Sequence, residues 1–206
     1  MTSRHLHIVS FNVPWPADYG GVIDVFHRIR TLHSMGVSIF LHCYDYGRGM
    51  QQELNSYCRE VHYYRRDMSP RNLFTKEPFI VSSRLSQELL ARLQQDEYPV
   101  LLEGLHCCGL LEDLRRQQPE RLLLVRAHNV EHEYYSRLSK SEHRLSKKIY
   151  LAWDARKLKT YEPILKLASC VLAVTEQDQK HFEAIGCQRV LLMPSSHNSD
   201  RVEALE

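Results

Sequence analysis

The densest polar run in the chain is Arg126-Ala127-His128-Asn129-Val130-Glu131-His132-Glu133-Tyr134-Tyr135. It follows a short apolar run, Leu122–Arg126, that reads as a strand, so these side chains leave a buried element together. His128 has the chemistry to bond a hydroxyl or a phosphate. Asn129 suits the cap of the next helix, and Glu131 can orient Arg126 or a hydroxyl. The bland alternative is a capped helix start with solvated charges. His128 and His132 stand four apart, the spacing of a metal pair on a helix, but no HExxH frame surrounds them and a metal is not expected.

A second candidate is the loop Asn12-Val13-Pro14-Trp15-Pro16-Ala17-Asp18-Tyr19-Gly20-Gly21, after the first apolar run. Glycines opening a helix let backbone N–H groups approach an anion, and the helix dipole favours negative charge there. Asp18 and Tyr19 flank the glycines and share the candidate ligand surface. A turn needed only to enter the helix is the competing reading. Neither GxGxxG nor GxxxxGK[ST] occurs, which argues against a dinucleotide or P-loop site. Glu103-Gly104-Leu105-His106 ends another apolar run, and Glu103 and His106 are candidate hydroxyl ligands on the same rim. GxSxG is absent, and Cys107-Cys108 has only His106 nearby, which is poor support for a cysteine nucleophile.

The elements that must position these residues are legible as alternating patterns. Leu6–Phe11, Val37–Cys43, Glu60–Tyr64, Val100–Glu103, Leu122–Arg126, Cys170–Val174 and Val190–Met193 read as strands. Several are continuously apolar, as in a parallel sheet covered on both faces. Val22, Phe26, Ile29 and Leu32 mark a helix ending at Gly36. Leu85, Leu89, Leu90 and Leu93 share a face of a second helix. Leu145 to Leu165 forms a long helix kinked or restarted at Pro163, and Thr175 caps one that stops near Gly186. Arg65 to Val81 reads as a long connection. The pattern predicts an α/β, Rossmann-like, doubly wound, mostly parallel sheet in a single domain over 1–194. Residues 195–206 read as a linker, with Leu205-Glu206 resembling a dipeptide appended in cloning.

Composition narrows the classes of function. With 27 basic and 25 acidic residues, a net charge of +2 gives no general nucleic-acid footprint. No apolar run is long enough to span a bilayer, and the first residues lack a signal-peptide core. Six cysteines without a CxxC suggest free thiols in a cytoplasmic protein. Arg65, Arg66, Arg71 and Lys76, interleaved with Tyr63, Tyr64, Phe74 and Phe79, form a basic-aromatic segment over 63–79. It reads as a solvated face or a peripheral contact with the inner membrane surface, and Arg137, Lys140, Arg144, Lys147 and Lys148 add a second basic group.

Four stretches carry a resemblance to a known family: FNVPWPADYGGVIDVFHRIRTLHSMG, RAHNVEHEYY, Tyr161-Glu162 leading into CVLAVTEQDQKHFEAIGC, and VLLMPSSHN. Together they resemble the N-terminal domain of GT-B-fold, family-4-like retaining glycosyltransferases. The resemblance implies an acceptor-side half that faces a nucleotide-sugar-binding domain across a cleft. Gly20-Gly21 would approach the donor diphosphate or sugar, and His128 the reacting sugar. The nucleotide-sugar would be a co-substrate, with no cofactor and no metal, and the acceptor a glycan or lipid-linked molecule of cell-envelope polysaccharide synthesis. The C-terminal domain with its paired glutamates has no counterpart here, so the chain alone is expected not to transfer a hexosyl group. Pro194-Ser195-Ser196-His197-Asn198 also departs from the family's usual Pro-Asn-Gly turn. A free-standing Rossmann-like ligand-binding or regulatory module, or half of a sugar-nucleotide epimerase, are the alternatives.

Overall fold

In the computed structural model, which describes residues 4–45 and 47–195, seven strands form one sheet. They are β1 (Arg4–Ser10), β2 (Val37–Asp45), β3 (Glu60–Arg65), β4 (Val100–Glu103), β5 (Leu123–Ala127), β6 (Cys170–Ala173) and β7 (Val190–Leu192). The order is β3-β2-β1-β4-β5-β6-β7, and every pairing is parallel. The sheet grows outward in one direction from β1 to β3, then resumes on the other side of β1 with β4. This reversal opens a crevice beyond the carboxyl ends of β1 and β4, the place where doubly wound sheets bind ligands.

Alternation along the strands divides the core into two layers. Ile8, Ile39, Leu41 and Leu101 face Val25, Phe26 and Ile29 of α1 (Gly20–Ser34). Val9, Leu102, Val125 and Val171 face the other way, toward α3 (Gln87–Leu93), α4 (Leu111–Gln117), α6 (Leu145–Tyr161) and α7 (Glu176–Ala184). The predicted helix signals at Gly36 and Thr175 operate as read, and Ser86 adds a further cap. Gly36 takes φ +76° after α1, where a side chain would be strained. The Ser86 hydroxyl accepts from Leu89 N at 3.2 Å, and that of Thr175 from Asp178 N at 3.1 Å. Helix α6 ends at Tyr161, and Pro163 sits in the 3-10 turn Glu162–Leu167 that follows.

The structure corrects three details. The connection from Arg65 to Val81 holds a 3-10 turn, Pro70–Leu73, and the start of a short helix, α2 (Phe79–Ser82). Leu85 lies outside α3, ahead of its cap, and is exposed rather than part of the buried face. Val130, not Asn129, is the cap of α5 (Glu131–Ser141), and it gives no side-chain bond. Asn129 stands one residue too early and bonds Glu131 instead. Among the described residues no helix is long and apolar enough to cross a membrane. The linker reading beyond Ser195 falls outside the described residues.

Candidate functional site

The rim is built on loops leaving β1, β4 and β5. Helix α1 starts at Gly20 with no side-chain cap and no acid in its first turn, so its positive end carries no built-in anion. The two glycines differ in purpose. A Cβ at Gly20 would meet nothing within 4 Å, whereas one at Gly21 would stand 2.8 Å from Phe11 Cζ. Phe11 in turn meets His128 edge-on, with centroids 5.5 Å apart, and lies 5.4 Å from His106. The helix start and the histidines therefore share one ring as a common wall.

Arg48, from the segment between β2 and β3, pins the loop ahead of α1. Its guanidinium donates to the carbonyls of Trp15 and Pro16 and to Asp18 Oδ1 at 2.9 Å, and lies over the Tyr19 ring. Tyr19 Oη accepts from Asn12 Nδ2 at 2.9 Å. Asp18 and Tyr19 thus hold the loop's shape as well as bordering the opening.

Beneath the rim lies a buried charge cluster. Arg28 donates to Asp24, one turn earlier on α1, and to Glu103 at the end of β4. Arg126 Nε donates to Asp24 Oδ2 at 3.3 Å, and its Nη1 reaches the carbonyls of Ala173 and Met193. His128 Nε2 lies 3.0 Å from Glu103 Oε2, while its Nδ1 is 3.7 Å from Asp24 Oδ2, beyond hydrogen-bond range. Two carboxylates and two guanidiniums balance in charge, which lets Glu103 and Arg126 be 0% exposed. Burial pushes the Glu103 carboxyl up, but Arg28 and His128 outweigh it and hold the group below the ordinary range. An ionised Glu103 only accepts, so His128 Nε2 carries the donated proton. Gly104, at φ +81°, makes this closure possible: a Cβ there would stand 2.8 Å from His106 Nδ1 and 3.5 Å from His128 Cδ2.

His106 and Glu131 form a second layer. Burial, then Arg84 and His128, drive the His106 imidazole well below its ordinary pKa, so it is neutral. Its buried Nδ1 makes no hydrogen bond and lies 4.0 Å from Glu131 Oε1. Burial pushes the Glu131 carboxyl up to about 7, assisted by Glu162 and opposed by the bond from Asn129. A carboxyl poised near neutrality at a sheet edge is a functional-site signal. Thiol chemistry has no such support: all six cysteines are free, and burial pushes Cys107 up to about 12.

The structure brings Gly20, Gly21, Glu103, His106, Arg126, His128, Asn129 and Glu131 to the same carboxyl edge. It also divides them, because Glu103 and Arg126 are sealed from solvent, and Glu103 meets the rim through His128, whose side chain is 12% exposed. Glu131 does not orient Arg126; Asp24 does. Asp24 and Arg28 were missed by sequence reasoning. Their only signal was an acid and a base four apart inside the apolar stripe of α1, a spacing most often seen on exposed faces. Also missed was an open cleft of about 850 Å3 at the carboxyl ends of β2 and β3, lined by Asp45, Tyr63, Arg66, Asp67 and Ser69 among others.

No family model matches the chain. It is 29% identical over 154 residues to an uncharacterized 44.6 kDa protein in the cps region of Klebsiella pneumoniae, a match covering 71% of this chain and 39% of that protein. Its fold is that of GT-B glycosyltransferase domains. UGT2 of Phytolacca americana, complexed with UDP-2fluoro-glucose and pterostilbene, superposes with TM-score 0.60 at 14% identity, over 96% of this chain and 56% of that one. A Polygonum tinctorium UDP-glucosyltransferase capable of glucosylating indoxyl, in complex with 3,4-dichloroaniline, gives TM-score 0.50 at 10% identity, over 100% of this chain and 56% of that one. The chain therefore spans little more than half the length of the solved structures it resembles, and less of the curated relative.

Proposed function

We propose that this chain is the N-terminal, acceptor-side half of a family-4-like, retaining glycosyltransferase. In the full-length enzyme it moves a hexosyl group from a nucleotide-sugar to a glycan or lipid-linked acceptor of the cell envelope. One observation carries this reading: at the β1/β4 reversal, an uncapped helix start at Gly20 and a carboxylate-held imidazole at His128 share the Phe11 wall. The cps-region relative and the solved UDP-sugar enzymes of the same fold agree with it.

The chemistry follows from the two ends of the rim. The N–H groups at Gly20 and Gly21 suit the negative charge of a diphosphate or its sugar. His128, held through Nε2 by Glu103, is the side chain we assign to the reacting sugar. Glu103, Arg28 and Asp24 act as positioning residues that fix the ring. The leaving diphosphate would be stabilised by the partner half together with the helix dipole, so no metal is assigned to the transfer step. The cleft at the ends of β2 and β3 is the site we assign to the acceptor, with Tyr63 supplying a ring and Arg66 charge.

We also assign a peripheral contact with an anionic bilayer on the cytoplasmic side. Leu145, Ile149 and Trp153 recur at i, i+4 and i+8 on α6, all exposed, with Phe74 6.3 Å from Trp153 and Arg144, Lys147 and Lys148 beside them. Within the segment 63–79, this assigns Phe74 to the membrane and Tyr63 to Ser69 to the cleft.

The test is transfer by the full-length protein against a panel of UDP-, GDP- and ADP-sugars, with His128→Ala in parallel. A loss of ~100-fold or more in turnover is expected for the variant, the range of general acid–base catalysis. Wild-type turnover in His128→Ala would remove the site assignment.

A further inference from the structure

Just beyond His128 in the chain, at the start of α5, begins a group of three side chains that the transfer chemistry does not use. His132 stands in the first turn of α5, Glu162 opens the 3-10 turn after α6, and His181 lies on α7. The residues are 30 and 19 positions apart, so only the fold unites them. His132 Nδ1 is 3.2 Å from Glu162 Oε1, and His181 Nε2 is 2.7 Å from Glu162 Oε2. One ligand atom from each lies within 4.8 Å of the others, and the two rings are 5.5 Å apart.

We propose that His132, Glu162 and His181 form a binding site for a divalent transition metal, zinc above all. Two imidazoles and a carboxylate are a borderline donor set suited to zinc, cobalt or nickel, not to the oxygen-seeking magnesium or calcium. Around a tetrahedral ion with bonds of ~2.1 Å, ligand atoms stand about 3.4 Å apart, so the observed spacing needs only a small rotation of the rings. The three side chains are 15%, 5% and 25% exposed, a setting that leaves an entry path and room for water as fourth ligand. Each imidazole now faces the carboxylate. Binding the ion requires the facing nitrogen to present its lone pair, with any proton there moving to the other ring nitrogen or to solvent. Helices α5 and α7 and the end of α6 would then be tied at one point. The inference stands apart from the transferase reading, because its readout is metal binding and involves no sugar.

The experiment is equilibrium dialysis and calorimetric titration of the purified, chelator-stripped chain with zinc chloride, and with cobalt chloride as a spectroscopic probe. One zinc per chain is expected, weakened at least 100-fold in His132→Ala and in Glu162→Gln. His181→Gln, which keeps a donor toward Glu162, guards against a variant that fails to fold and should also lose binding. Cobalt should give the intense visible absorption of a tetrahedral site in the wild type alone. A folded wild-type chain that takes up no zinc at 100-fold molar excess would overturn the proposal. So would stoichiometric binding that survives all three substitutions, which would place the metal on other histidines.

Discussion

Removing Arg28 isolates what the buried charge cluster contributes. In Arg28→Met the stem is replaced by apolar atoms, but Asp24 and Glu103 lose the cation that bridges them. Both carboxylates remain buried, at 2% and 0% exposure, with Arg126 still bonded to Asp24 and only His128 left on Glu103. Breaking one side of a buried pair costs ~3–5 kcal/mol, a large fraction of the ~5–15 kcal/mol that stabilises a typical domain. The pH dependence gives the sign. In the wild type Glu103 lies below its ordinary pKa, so its stabilisation is present above about pH 4.5 and is lost as the pH falls through the folded value. Without Arg28 the largest influence that lowers the Glu103 pKa is gone, so the pKa rises, and protonation at low pH relieves the charge. The deficit of Arg28→Met, measured by urea unfolding, should therefore be largest near pH 8 and shrink toward pH 5. Glu103→Gln alone should also destabilise, whereas Arg28→Met/Glu103→Gln leaves the balanced pair Asp24–Arg126 and should recover part of the loss. A deficit below ~1 kcal/mol at pH 8 would show that the cluster is hydrated and worth no more than a surface pair. Single deficits that simply add in the double variant would refute the coupling.

The paired glycines should separate cleanly. Gly20→Ala has open space and a helical position, so it should be neutral or stabilise by up to ~1 kcal/mol. Gly21→Ala must push the Phe11 ring aside and should cost ~1–3 kcal/mol, read from denaturant midpoints. A second pH effect comes from the chain Asp96–His7–His42–Tyr64, which crosses β1, β2 and β3. Burial, then His7, His62, Arg92 and Arg121, hold His42 well below its ordinary pKa. The native state thus keeps it neutral, and stability should fall as the pH drops below about 6.5, by ~1.4 kcal/mol per unit from this group. His42→Gln should flatten that slope, and an unchanged slope would exclude His42 as the sensor. For the bilayer contact, Leu145→Ser/Ile149→Ser should reduce co-sedimentation with vesicles rich in anionic phospholipid at least tenfold, while unfolding midpoints move little because both side chains are exposed. Equal binding to neutral vesicles would contradict the electrostatic part.

The strands, the helix start at Thr175, the stop at Gly36 and the break before Pro163 were legible in the chain because each depends on neighbours within a few residues. Apolar runs, cap hydroxyls and ring constraints act locally, and their periodicity survives without a partner in view. His128, Glu103 and Gly20-Gly21 were legible as candidates for the same reason: each follows a strand, and strand ends of a parallel sheet share an edge. What the chain could not disclose was which of these polar groups would be sealed inside. Asp24 and Arg28 look like an ordinary surface pair until α1 is laid against β4, and Glu103 looks like a rim ligand until Arg28 takes it. His132, Glu162 and His181 carry no common spacing at all. Burial and charge pairing between distant elements are properties of packing, and a pKa or a ligand set exists only once desolvation and through-space distance are defined. Tertiary structure alone decided those.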